Sequence, residues 1–373
     1  MEKGKCWWER FSRDYQAADY PVILADRDRK IVWHNEAANS LPFDTTIGMD
    51  LIFLPCISTV FDQFLQSADF RLAVGGILDG QYDCLVSLLS EQGYVLQFFP
   101  CHSFALSCPP GQIQREIDTL THQARNPLST IFSALMNISH SNNEIGDPDI
   151  HNYVNKISTQ CYRLLRSATN LTEWQRYVNG LSVYQPQRQN LCLFLEQLCR
   201  VISVMIERSG LQFQYSVPGE PVNATFDPNK LSTAVLNLIS NAAKFSAESG
   251  RILVNLSINQ KFAAISVVDN GFGIQAEALE HAFEPFYSYD PRTASICGDG
   301  VGLPLCKEIA RELGGSVALG TSEGQGTRAM LCIPLCPDGG PILSVNDSAD
   351  QYVYDRFSNM FVILSDVCKV PDF

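Results

Sequence analysis

His122-Gln123-Ala124-Arg125-Asn126-Pro127-Leu128 is the stretch on which the fold of this chain turns. Around it, apolar residues recur at Ile113, Ile117, Leu120, Ala124, Pro127, Ile131, Ala134 and Ile138, in alternating steps of four and three. Such alternation is the seam of a helix that packs lengthwise on another. With Ile117 at a and Leu120 at d, His122 falls at f, farthest from the seam, so the spacing predicts an imidazole facing solvent. Pro127 lies inside the pattern; it has no N–H for the carbonyl of Gln123 and should bend the helix near His122. Asn126, four residues after His122, shares its face.

The next segment completes a pair. Ser141–Gly146 is a polar turn, and Asp147-Pro148 supplies an N-cap and a first-turn proline. A second seam follows through Ile150, Val154, Ile157, Cys161, Leu164, Ala168, Leu171, Gln175 and Val178. Residues 109–180 are thus expected as an antiparallel helical hairpin. One hairpin leaves half of each stripe exposed, so a homodimer closing a four-helix bundle is expected.

Bulk composition bounds the rest. The 373 residues are 46% hydrophobic and 18% charged, as in a folded protein of two or three domains. A net charge of −13 argues against a nucleic-acid surface. Thirteen cysteines occur without a CxxC pair, so metal-ligand spacing is absent and buried thiols in a reducing cytoplasm are expected. Met1–Phe11 has no apolar core of a signal peptide, and no apolar run reaches the roughly 18–20 residues of a membrane span.

Upstream, residues 15–108 read as a small α+β domain. Val22–Ala25 and Lys30–His34 are strands about a polar turn, and Asn35 caps a short helix from Glu36. Tyr82–Leu89 and Tyr94–Phe99 form a hairpin. This order resembles a PAS sensory domain. Trp33, His34, Cys56 and Cys84 could line a pocket for a small-molecule ligand, with ordinary core packing the simpler reading.

Downstream, residues 188–336 read as an α/β sandwich. Helices are expected at Leu191–Ser209 and Lys230–Phe245, and strands at Arg251–Ile258, Phe262–Asp269, Ser316–Leu319 and Thr327–Ile333. Asn237 and Asn241 are four apart on one helix, so two amide oxygens share a face and can hold Mg2+ or its waters. Lys244 on the same helix can approach phosphates. Asp269 ends a strand and opens Asp269-Asn270-Gly271-Phe272-Gly273. Its carboxylate can accept the adenine amino hydrogen while Gly271 and Gly273 let the backbone approach the ring. Gly298, Gly300 and Gly302 expose N–H groups ahead of a helix from Leu303 to Leu313, and a helix N-terminus favours phosphate. Pro304 suits its first turn and Gly314 its C-cap.

In this order, a histidine on a hairpin and then a nucleotide cradle, the chain resembles a sensor histidine kinase. The string from His122 to Leu128 resembles the phosphoacceptor box, and Leu236–Phe245 resembles the asparagine box of a GHKL-type ATPase. The resemblance implies ATP and Mg2+ as cofactors, Asn241 as main metal ligand and Asn237 as its companion. It implies that Phe283 and Phe286 anchor a lid formed by Tyr287–Cys297 over ATP, that Leu303 borders the phosphates, and that Thr327 reaches adenine through water. His122 would accept the γ-phosphoryl of ATP and pass it to an Asp of a response-regulator receiver domain. Gln123 stands where the family has Glu or Asp; it can hydrogen-bond but cannot take a proton. Asn126 corresponds to the residue that positions water for dephosphorylating the partner. An ATP-binding protein biased to phosphatase or scaffold duty is the alternative. A gyrase- or Hsp90-type ATPase typically has a Glu where Asn237 stands. Residues 337–373 form a tail that opens with Pro337-Asp338-Gly339-Gly340-Pro341 and carries the apolar run Met360–Leu364, suited to docking on the domain or to binding a partner.

Overall fold

A computed structural model describes residues 8–51, 71–90, 93–101, 128, 130–135, 137–138, 148–247, 249–289, 299–321, 326–335 and 358–365. His122, Gln123, Asn126, the bend at Pro127, the turn at 141–146, Cys56 and Gly298 lie outside the described residues.

The N-terminal part starts with α1 (Trp8–Tyr15), followed by β1 (Val22–Asp26) and β2 (Ile31–His34). Asn35 closes β2. Its Oδ1 accepts from the N–H groups of Val22 at 2.9 Å and Ala38 at 3.1 Å, and its Nδ2 donates to Tyr20 O at 2.8 Å. A buried amide so bonded fixes the 3-10 turn Glu36–Ser40 against β1. β3 (Arg71–Gly76), the short helix α2 (Ile77–Gly80), β4 (Tyr82–Ser90) and β5 (Gly93–Pro100) complete this part. Cys84 packs in its core, and Trp33 packs against the smaller cluster under α1.

Residues 128, 130–135 and 137–138 are helical, and α3 spans Pro148–Val178, the segment expected as the second arm of a hairpin. The expected seam divides. Val154 and Cys161 are buried, but Ile157, Leu164 and Leu171 are 47%, 62% and 43% exposed. Tyr162, Leu165, Trp174 and Tyr177 carry the burial instead, because α3 turns that side toward the C-terminal part of the chain.

That part comprises β6 (Gln187–Asn190), α4 (Leu191–Glu207), β7 (Gln212–Ser216), β8 (Asn223–Phe226), α5 (Pro228–Phe245), β9 (Arg251–Ile258), β10 (Phe262–Asp269), α6 (Ala276–Glu280), α7 (Gly302–Glu312), β11 (Ser316–Thr321) and β12 (Thr327–Pro334). The last described element is α8 (Asn359–Leu364). Helices α4, α5 and α7 contribute to one large core with the inward residues of β9, β10, β11 and β12. β6 pairs with β8 in a separate two-stranded ribbon.

The two sheets expected from the sequence are one. Ten strands run in the order β2-β1-β5-β4-β3-β11-β12-β10-β9-β7, and β3 joins β11 antiparallel. The register sets Val74 opposite Ala318 and Ala73 opposite Leu319. Val74 and Ala318 belong to the N-terminal core, whereas Ala73 and Leu319 belong to the C-terminal core. Alternate residues of the shared strands therefore serve two cores, as the period of two requires. Below the seam, Lys307 of α7 donates to Asp83 of β4, with Nζ 2.9 Å from Oδ2 and 3.2 Å from Oδ1. Burial opposes the Lys307 ammonium, but the Asp83 carboxylate more than offsets this, so its pKa lies above the ordinary lysine value.

Candidate functional site

Helix α5 is one wall of the site. Asp227 caps it, accepting from the N–H groups of Asn229 at 3.0 Å and Lys230 at 3.2 Å, and Pro228 occupies the first turn. Asn237 is wholly buried: Nδ2 donates to Thr233 O at 3.0 Å, and Oδ1 faces Gly302, where a Cβ would stand 3.3 Å from it. One turn later Asn241, and then Lys244, line a cavity of about 770 Å³.

Strand β10 brings Asp269 to the same cavity, 7% exposed. Its Oδ1 accepts from Gly271 N at 2.9 Å and Thr327 N at 3.1 Å. Burial pushes its carboxyl up to about 6, and these two N–H groups pull it partly back. Both bonds fall on Oδ1, so Oδ2 is the acceptor turned to the cavity. A Cβ at Gly271 would lie 2.1 Å from the Phe245 carbonyl oxygen, so only glycine lets the loop pass the end of α5. Thr321 pins the loop from the far side: its Oγ1 accepts from Ile274 N at 2.8 Å and donates to Gly326 O at 3.1 Å. Val267, Ile274, Leu319 and Ala329 make this end of the cavity apolar.

The other end is polar. Gly300, Gly302, Leu303 and Pro304 border it at the start of α7. Gly300 has φ +65°, and its carbonyl accepts from Phe286 N at 3.0 Å. Asp299, which had no role in the sequence reading, accepts from Val301 N at 3.2 Å and from Asn170 Nδ2 at 3.1 Å. Asn170 belongs to α3, and so do Arg163, Arg166 and Ser167, which also line the cavity. Arg166 donates to Ser240 Oγ at 2.9 Å and, at 3.5 Å, to Asn237 Oδ1. Arg166 and the N-terminus of α7 meet at this end, so among the described residues it suits an anion.

Of the residues singled out from the sequence, Asn241, Lys244, Asp269, Gly273, Gly300, Gly302, Leu303 and Thr327 line the cavity together. Asn237 and Gly271 stand behind its walls. Phe283 is 5% exposed within the large core, whereas Phe286 is 61% exposed with φ +66°. Tyr289 fixes the described start of the expected lid, its hydroxyl donating to Gln275 Oε1 at 2.9 Å. The contribution of α3 was missed, because Arg166 and Asn170 lie off the apolar seam and carry no signal of burial in the sequence. Among the described residues, no group of three or more His, Cys, Asp or Glu side chains could hold a metal. Asn241 offers a hard amide oxygen at the polar end, which fits Mg2+ sharing its shell with phosphate oxygens and water. Asn237 reaches Arg166 in this arrangement.

Comparison with known proteins agrees with this geometry. The family of histidine kinase-, DNA gyrase B- and HSP90-like ATPases matches residues 226–337. The sensor histidine kinase WalK of Bacillus subtilis is 28% identical over 236 residues, 60% of this chain and 37% of WalK. Histidine kinase P4 of Formosa agariphila is 24% identical over 246 residues, 63% of this chain and 18% of its own length. The chain thus spans well under two thirds of the curated relatives it matches. Among solved structures, full-length ShkA in complex with AMPPNP aligns with TM-score 0.49 at 22% identity, covering 61% of this chain and 47% of ShkA. The histidine kinase ThkA in complex with the response regulator TrrA aligns with TM-score 0.42 at 18% identity, covering 87% and 98%.

Proposed function

We propose that this chain, which belongs to the sensor histidine kinases and carries a GHKL-type ATPase domain, phosphorylates its own His122 from ATP and passes the phosphoryl group to a response regulator. The observation that carries the reading is the cavity that is apolar around Asp269 and cationic around α7. Asp269 Oδ2 accepts the adenine amino hydrogen, and Val267, Ile274, Leu319 and Ala329 take the ring. Lys244 and the N–H groups at the start of α7 neutralise the phosphates. Mg2+, held by Asn241, would supply further charge neutralisation. Positioning and charge neutralisation dominate phosphoryl transfer, so few covalent roles fall to the protein.

A nitrogen lone pair of His122 attacks the γ-phosphorus; a P–N bond forms as the bond to the ADP oxygen breaks. Imidazole is largely neutral near pH 7, so the nucleophile exists without a base, and Gln123 is left to orient it. The slow step this implies supports a second reading, a phosphatase-biased kinase in which Asn126 aligns water on the regulator. The exposed stripe of Ile157, Leu164 and Leu171 supports a homodimer through the hairpin. No helix among the described residues is long and apolar enough to cross a membrane, and a cytoplasmic location for this segment is part of the proposal. A PAS-type N-terminal domain would receive the signal.

The test is γ-labelled ATP with Mg2+, using wild type, His122→Ala and Gln123→Glu. Acid-labile, base-stable label that disappears in His122→Ala is expected. Label in Gln123→Glu alone would favour the phosphatase-biased reading. ATP bound without label in any variant would overturn the kinase reading.

A further inference from the structure

The C-terminal helix α8 lies outside the residues matched by the ATPase family, yet it is buried on both sides. Ser358 caps it, accepting from Phe361 N at 3.3 Å. All five residues from Met360 to Leu364 are 5% exposed or less. They divide between two partners. Phe361 and Val362 join Leu128, Phe132, Cys161, Tyr162 and Leu165 of the hairpin. Phe361 lies against the Tyr162 ring at 5.0 Å, and Tyr162 against Phe132 at 4.4 Å. Met360, Ile363 and Leu364 join the core of the ATPase domain. Polar contacts fix the second side: Asn359 Nδ2 donates to Thr233 Oγ1 at 2.6 Å, and the Ile363 carbonyl accepts from Ser240 Oγ at 3.3 Å. Ser240 is also the residue that Arg166 grips at 2.9 Å.

A helix of six residues is not stable alone in water. It holds here because two apolar surfaces that belong to different functional parts close on it. Without it, Tyr162 and Phe132 on one side and the exposed end of the α5 core on the other would face solvent. The groove is therefore a docking site, and its occupant is the chain's own segment 358–365.

We propose that α8 is an intramolecular clamp that fastens the phosphoacceptor hairpin to the ATPase domain and holds autophosphorylation down until it leaves the groove. The inference rests on the kinase reading above. Leu128, which the clamp holds, is six residues along the chain from His122. The γ-phosphate must be carried to His122, and the phosphorylated histidine must then be freed for the regulator. Both steps need the ATPase domain to move against the hairpin. The clamp is buried in both and restrains that movement. In the clamped arrangement α3 is bonded to the walls of the phosphate end, through Arg166 to Asn237 and through Asn170 to Asp299.

The experiment compares the full chain with one ending at residue 357 and with full-length Phe361→Ala. Two readouts are taken: the initial rate of His122 labelling, and hydrogen exchange of the amides between Ser158 and Asn170. Both variants are expected to label about fivefold faster or more and to exchange faster over that stretch, while an ATP analogue still binds. Unchanged exchange in Phe361→Ala would overturn the clamp. Faster exchange with labelling unchanged or slower would overturn its inhibitory role. Faster exchange with no label in any chain would leave the clamp standing and overturn the kinase reading. If the shortened chain does not fold, Phe361→Ala decides alone.

Discussion

Asp269→Asn tests the nucleotide reading at one atom. The wild-type carboxylate presents Oδ1 to two N–H groups, those of Gly271 and Thr327, and Oδ2 to the cavity. An asparagine must keep its oxygen on those two donors, because turning its NH2 toward them would set donors against donors. Its NH2 then faces the cavity, where adenine also offers a donor. Loss of a hydrogen bond to a charged acceptor costs about 1.5–3 kcal/mol. With the opposed donors added, the total is about 3 kcal/mol, roughly 100-fold in Kd for ATP. Inosine triphosphate carries a 6-oxo acceptor at that place, so its affinity relative to ATP should rise at least about tenfold. Folding should not suffer at neutral pH. The Asp269 carboxyl is raised to about 6, so its favourable contribution is complete only below the ordinary carboxylate pKa and is lost as pH rises through about 6. At pH 7.5 the amide avoids burying a charge, and Tm should hold or rise. For the same reason wild-type affinity for ATP should weaken as pH falls through about 6, and Asp269→Asn should lack that component. Calorimetry with ATP and inosine triphosphate at pH 5.5 and 7.5 decides the matter. An ATP affinity within threefold of wild type, or an unchanged inosine-to-adenine ratio, would refute the reasoning.

Gly271→Ala places a Cβ 2.1 Å from the Phe245 oxygen, so the loop must shift; a stability loss of about 1–3 kcal/mol and at least tenfold weaker ATP-analogue binding are expected, from denaturant melts and titration. Asp83→Asn strands the Lys307 ammonium, 11% exposed, although the carboxylate it loses is 29% exposed. That exposure reduces the expected cost to about 2 kcal/mol, and Asp83→Asn with Lys307→Met should recover at least half of it in a denaturation cycle. Leu164→Asp changes a residue 62% exposed, so monomer stability should move by less than about 0.5 kcal/mol while sedimentation shows the dimer lost; a dimer that persists would place the interface elsewhere.

Much of this molecule is legible in the sequence where one physical signal acts alone. Periodicity places α5 at Lys230–Phe245, within two residues of its start at Pro228 after the Asp227 cap, and the apolar run Phe262–Val268 ahead of Asp269 marks a strand buried on both faces. The glycines of the Asp269 loop show where backbone must pass backbone. Legibility fails where burial comes from partners distant in sequence. Gln187–Asn190 is wholly polar and becomes β6 only because β8 lies beside it. Arg71–Gly76 gives no alternation, yet it is the strand that unites the two parts of the sheet. On α3 the heptad pattern points to Leu164 and Leu171, while the ATPase domain and α8 bury Tyr162, Leu165 and Trp174. Arg166 and Asn170 read as ordinary solvated positions, because the Asn237 and Asp299 they meet lie 71 and 129 residues away.

The ladder between β3 and β11 has a consequence for what kind of message can cross it. Five residue pairs, Arg71 with Thr321 through Gly75 with Val317, hold it. A slip of one residue would turn Val74 and Leu72 out of one core and into the other, so no intermediate setting exists. The next permitted alignment lies two residues along, about 7 Å away, and would break the Lys307–Asp83 contact. Sliding between the N-terminal part and the adjoining sheet is therefore all or none: as far as register goes, the joint is a latch with discrete stops, zipped in one alignment or parted.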